Sequence, residues 1–210
     1  GANRMSKYQA YPEYKDSGIE WIGEIPVHWG TSKLRYMFLF GKGLTITKEN
    51  LIDDGIPCLN YGEVHSKYGF EVDPALHQLK CVSEEYLKSS YSALLSRGDL
   101  VFADTSEDIE GSGNFTQLTS DQALFAGYHT IIARPKDRRS CRFYAYLCDS
   151  QELRTQIRHA VKGVKVFSIT QAILRNVNIW LPLIEEQQKI ANFLDYETAK
   201  IDKLIEKQQQ

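Results

Sequence analysis

The feature that most constrains this chain is a change of period at Pro182. Upstream, Val177, Ile179 and Leu181 alternate with other residues at the two-residue spacing of a strand. Downstream, Ile190, Leu194, Ile201 and Leu204 recur at helical spacing, interrupted by Glu197. Proline suits the first turn of a helix because it has no amide hydrogen to leave unbonded there. Glu185 and Glu186 then fall where the positive end of the helix dipole favours acids. A continuous helix from Leu183 to Gln210 is about 40 Å long at 1.5 Å per residue. That is more than a domain of this size needs to cover its own core. The spacing favours an interaction helix, with Ile190, Leu194, Ile201 and Leu204 as the seam for another helix, over an amphipathic helix folded back on the body.

The 210 residues leave room for one good-sized domain with such an extension. Residues 1–4, ahead of Met5, read as an expression scar, residues 5–182 as the domain and 183–210 as the helix. Residues 16–30 mix tryptophan, glycine and proline without a period and predict an irregular arm. Strands are expected at residues 34–40, 56–61, 100–103, 128–133 and 177–181. Short helices are expected after Ser83, across residues 142–159 with a break near Asp149, and after a capping box at Ser168. Residues 62–69 and 104–122 read as loops, the second long, polar and rich in glycine and serine. Short mixed or antiparallel strands interspersed with short helices make this an α+β domain followed by a long C-terminal helix.

Several function classes lack their residues. Cys58, Cys81, Cys141 and Cys148 form no C-x-x-C pair and read as reduced thiols; the five histidines show no metal-ligand spacing. No run approaches the roughly 18 apolar residues of a membrane span, and we expect a soluble cytoplasmic protein. An adenine methyltransferase needs an N-P-P-Y or D-P-P-Y strand end and a glycine-rich cofactor loop, and neither is present. The E-x-K at Glu13–Lys15 has no upstream acid to complete a nuclease metal site, and there is no P-loop and no serine nucleophile elbow. The charge is segregated: residues 1–130 carry 11 Lys/Arg against 18 Asp/Glu, whereas residues 131–184 carry ten against three. Either this builds a local positive face, or the cations fold back onto the acids of the first part.

Three stretches carry a resemblance. Tyr14-Lys-Asp-Ser-Gly18 with Trp21-Ile-Gly-Glu-Ile-Pro-Val-His-Trp29 resembles the N-terminus of specificity (S) subunits of type I restriction–modification systems. Ser83-Glu-Glu-Tyr86 followed by Leu95-Ser-Arg-Gly-Asp-Leu-Val101 looks like that family's element of helix, G-D and strand. Gly163, Ile169 and then Ile179-Trp-Leu-Pro-Leu-Ile-Glu-Glu-Gln187 match its apolar-Pro-apolar-x-E-Q approach to a long helix.

The resemblance implies a non-catalytic DNA target recognition domain that reads one half of a bipartite double-stranded DNA site. The helix then acts as the start of a spacer, packing antiparallel on the helix of a second recognition domain or a second copy. Methyltransferase (M) subunits would dock on it and bring S-adenosylmethionine, and restriction (R) subunits would bring ATP and Mg. No cofactor and no metal is expected on this chain. The alternatives are a stand-alone methyltransferase or nuclease, or a protein-only scaffold. For phosphate contacts the candidates are Lys162, Lys165, Arg138, Arg139 and Arg142, with Gly163 allowing close backbone approach. For base edges they are Tyr61, His65, Lys67, Tyr68, Ser106, Asn114 and Gln117.

Overall fold

The computed structural model describes residues 9–161 and 166–209. The chain opens with β1 (Tyr14–Asp16), β2 (Glu24–Pro26), β3 (Gly30–Lys33), α1 (Leu34–Met37) and β4 (Phe38–Lys42). There follow β5 (Ile56–Leu59), α2 (Tyr61–Ser66), β6 (Glu71–Val72), β7 (Cys81–Val82) and α3 (Tyr86–Ser89). The middle holds β8 (Leu100–Ala103), β9 (Thr105–Ser106), β10 (Phe115–Leu118), β11 (Phe125–Ala126) and β12 (Thr130–Pro135). The last part holds α4 (Cys141–Asp149), α5 (Gln151–Ala160), β13 (Phe167–Ser168), α6 (Gln171–Asn176), β14 (Asn178–Leu181) and α7 (Ile184–Gln209).

The central sheet runs in the order β4-β12-β8-β10-β6, antiparallel except where β10 meets β6. Both faces of its middle are covered. In β8, Leu100 and Phe102 point to the side packed by Phe143, Leu147, Leu153 and Ile157 of α4 and α5. Val101 and Ala103 point to the other side, against Leu59, Val64, Leu124 and Ala126. The two-residue period of a strand makes this division, and covering on both sides is why Leu-Val-Phe-Ala is apolar throughout. A smaller sheet, β11-β5-β7, encloses Leu44, Cys58, Val82 and Phe125. The β3–β14 ladder pairs Gly30 with Leu181, so the arm is stitched to the last strand just before the long helix.

Several local expectations need correction. The run from Leu34 to Phe40 is one helical turn followed by a strand. Leu34 leaves the β3–β14 ladder by bonding Val177 and turns inward to 1% exposure, and periodicity in so short an apolar run does not separate the two. Residues 62–69 begin in α2, because Val64 packs into the core beneath it. The supposed loop 104–122 contains β9 and β10, and β10 is wholly buried. Its polar Gln117 fits there because its amide donates to the carbonyls of Gly98 and Cys141, at 3.2 and 2.8 Å. The α6 cap is Thr170, whose hydroxyl accepts from Ile173 N–H at 3.2 Å, while Ser168 lies in β13. The break at residues 149–150 is present, with Ser150 as the cap of α5.

Candidate nucleic-acid interface

Three of the sequence-predicted residues, Tyr61, His65 and Ser106, line one cavity of about 300 Å³ together with Thr105, Glu107 and Val166. The helix α2 presents Tyr61 and His65, and β9 brings in Ser106 from 41 residues away. Ser106 donates its hydroxyl hydrogen to the carbonyl of Asp108 at 2.6 Å, so at 2.9 Å the His65 Nε2 must be the donor to Ser106. Gly111 sits so close that a Cβ there meets His65 Nε2 at 2.4 Å. Asn114 braces the site, donating to the His65 carbonyl at 3.1 Å and accepting from Arg154 at 2.9 Å. Lys67 is exposed, its Nζ 5.1 Å from the centre of the Tyr68 ring.

Other candidates are taken up by the fold. Tyr68 is buried and donates its hydroxyl to the Gln78 carbonyl at 2.6 Å. Gln117 is 2% exposed, and its Oε1 accepts from Arg142 at 2.9 Å. Arg138 bonds Asp99 at 2.6 Å, and Arg139 bonds Asp137 through two nitrogens at 3.0 and 2.8 Å. Arg142 lies between Glu71 at 2.7 Å and Asp195 at 2.8 Å, with its guanidinium over Phe70. Burial works against its charge, but the bonds it donates to Asp195 and Glu71 outweigh that and push its pKa above the ordinary arginine value. Arg138 and Arg142 are therefore held in ion pairs, because acids 39, 53 and 71 residues away reach them in the fold. Lys162, Gly163 and Lys165 lie outside the described residues.

These pairings decide between the two readings of the segregated charge: Arg134, Arg138, Arg142 and Arg158 fold back onto Asp99, Glu71 and Glu110 of the acidic part. Among the described residues of 131–184, Lys136 and Arg175 carry no ion pair. With Arg35 they line a groove of about 480 Å³ over Phe38 and Phe40.

Sequence reasoning missed two neighbours of Tyr61. Tyr128 and His129 stand against Tyr61, with ring centres 5.8 and 5.5 Å away, and Asp104 bonds His129 at 3.1 Å. Reading Tyr128 and His129 as strand residues hid them, although the Gly127 before them is a usable turn signal. Among the described residues no group of three or more His, Cys, Asp or Glu side chains is placed to hold a metal, and no helix is long and apolar enough to cross a membrane.

At the other end of the domain, Glu186 clamps the arm to the first turn of α7. It accepts from Tyr11, from Trp29 Nε1 at 3.0 Å and lies 2.9 Å from His28 Nε2. Burial pushes its carboxyl up, but the hydrogen bonds from Tyr11, Trp29 and His28 outweigh that and hold it below the usual glutamate range. Burial and the neighbouring Glu186 carboxylate push the Tyr11 hydroxyl up to about 12. Ile190 packs on the core and Leu194 is half-buried, whereas every residue from Thr198 to Gln209 is exposed, including Ile201 at 56% and Leu204 at 61%.

The family model described as type I restriction modification DNA specificity domain matches residues 26–210. The specificity subunit of the type I restriction enzyme MjaVIII from Methanocaldococcus jannaschii is 26% identical over 198 residues, which are 92% of this chain and 44% of that protein. The fold is similar to the HsdS subunit from Thermoanaerobacter tengcongensis, with a TM-score of 0.59 and 18% identity over 93% of this chain and 42% of that one. It is also similar to the S subunit of a type I restriction–modification system from M. genitalium, with a TM-score of 0.56 and 16% identity over 85% and 41% of the two chains. The chain thus spans less than half the length of these relatives. With the G-D element and the strand-to-helix junction both within the matched span, the chain belongs to the type I restriction modification DNA specificity domain family.

Proposed function

We propose that this chain is the recognition half of a specificity subunit: it reads one half of a bipartite DNA target and hands the position of that half-site to partner subunits. The observation that carries this reading is the cavity of Tyr61, His65 and Ser106, with Tyr128 and His129 packed beside Tyr61, on a domain whose last strand runs straight into a projecting helix. A rigid domain that holds hydrogen-bonding and aromatic side chains at its surface suits base edges, and a rigid helix suits the fixing of distance to a second half-site. Tyr61, His65 and Lys67 are the surface members of the predicted set, with Ser106 and Asn114 positioning them from behind. Lys165 and Lys162 supply the phosphate contacts, joined by the exposed Lys67, which the sequence offered for base edges, and Gly163 lets the backbone approach the duplex.

The exposed stripe of Ile201, Leu204 and Ile205 takes a second helix, from another recognition domain or another copy. Chemistry then belongs to partners: M subunits with S-adenosylmethionine, R subunits with ATP and Mg. Expression with an M subunit, followed by mapping of methylated sites in host DNA, tests this reading. A recurring bipartite sequence supports it. Methyl transfer or DNA cleavage by the purified chain alone, or an M complex indifferent to DNA sequence, overturns it.

A further inference from the structure

The turn between β11 and β12 holds a backbone conformation that most side chains avoid. His129 has φ of +55°, and among the described residues it is the one non-glycine residue with positive φ. In that region Cβ crowds the following carbonyl, so a side chain is a liability there and glycine is not. The surroundings over-determine the conformation. Gly127 N–H donates to Leu59 at 2.7 Å, Tyr128 N–H to Asn60 Oδ1 at 3.2 Å, and Tyr61 N–H to the Tyr128 carbonyl at 3.3 Å. Asp104 N–H then donates to the His129 carbonyl itself at 3.0 Å, and Thr130 closes the turn with a 2.7 Å bond to Gly127. Asn60 is 1% exposed, and a Cβ on Gly127 meets its Oδ1 at 1.8 Å, so the turn has no room to relax on that side.

The strain is not repaid by packing, because the His129 side chain is 58% exposed. Its ring is nevertheless aimed. Nδ1 lies 3.1 Å from Asp104 Oδ1, and a carboxylate only accepts, so Nδ1 carries the hydrogen and Nε2 is the ring nitrogen left for a ligand. Tyr61 and Tyr128 flank the ring edge-on, at 77° and 86°. Tyr61 also lines the cavity with His65 and Ser106, so the His129 ring stands beside a wall of that cavity. Strained, over-determined residues with an exposed, oriented polar atom belong to recognition and catalysis more than to stability.

We infer that His129 is a specificity-determining residue of this chain, its Nε2 meeting a base edge with Tyr61 alongside, and that Asp104 is its positioning residue. The inference rests on the DNA-reading function proposed above. When the ring is neutral, the tautomer that Asp104 selects offers Nε2 as an acceptor. The base it favours therefore presents an amino group, N6 of adenine or N4 of cytosine, in the major groove.

The test uses the full chain in complex with its methyltransferase subunit. Methylated sequences are mapped in cells, and thermal unfolding is measured, for the parent, His129→Gly, His129→Asn and Asp104→Asn. Glycine takes the same backbone without strain, so His129→Gly is expected to melt at or above the parent temperature. Its preference at one position of the half-site, for A or C over G or T, is expected to fall by roughly ten- to a hundredfold. Asp104→Asn is expected to weaken preference at the same position with His129 still present. An unchanged site for His129→Gly overturns the inference, as does a uniform loss at all positions. A parent complex with no sequence preference at all instead overturns the DNA-reading function beneath it.

Discussion

Asp99 is fully buried, accepts from Arg134 and Arg138 at 2.6 Å each, and holds the Ser96 amide at 2.8 Å. Gly98 before it has φ of +91°, and a Cβ there meets Cys141 Sγ at 2.5 Å. The G-D pair was legible as a turn into a strand, but its partners, 35 and 39 residues away, were not. Asp99→Ala leaves two arginines facing an empty site, and we expect a loss of about 3–5 kcal/mol of stability, measured by urea unfolding. Glu186 gives a second prediction at this scale. Its folded pKa is depressed, so its contribution is complete above the ordinary glutamate value of 4.5 and is lost as pH falls through the folded value. Trp29 fluorescence should report release of the arm in acid below that value, and Glu186→Gln should remove this pH step.

At the scale of elements, α7 was the most legible and the 104–122 segment the least. Proline, two glutamates and a helical apolar period are local signals, so the junction at residues 182–184 could be read without tertiary contacts. The strand β10 carries Thr and Gln in a Gly- and Ser-rich context and is buried only because Gly98, Cys141 and Arg142 satisfy Gln117. No local pattern announces partners of that kind. The two halves of α7 also differ. Gln187 and Ala191 are buried on the body, while Ile201 and Leu204 face solvent. Ile201→Glu with Leu204→Glu is expected to leave the melting temperature of the domain unchanged. It should abolish association through the helix, as read by sedimentation of parent and variant with and without the second half or copy.

For the whole molecule, the segregation of charge along the chain does not survive as segregation in space. Arg138 and Arg142 are neutralised by distant acids, so Arg138→Ala and Arg142→Ala are expected to lower stability and leave the salt dependence of DNA binding unchanged. Lys67→Ala and Lys165→Ala are expected to reduce the slope of log K against log salt by about one each, with fold stability intact. Titration of DNA binding over a range of salt separates the two groups. The sequence by itself determined the α+β character, the helix junction and the family, because periods, caps and turn residues act over a few positions. The tertiary structure decided which cations remain free, which polar residues are buried, and that Tyr61, His65, Ser106 and His129 form one surface. Those outcomes depend mostly on contacts between residues 19 to 71 positions apart, and no period or local motif encodes the meeting of such pairs.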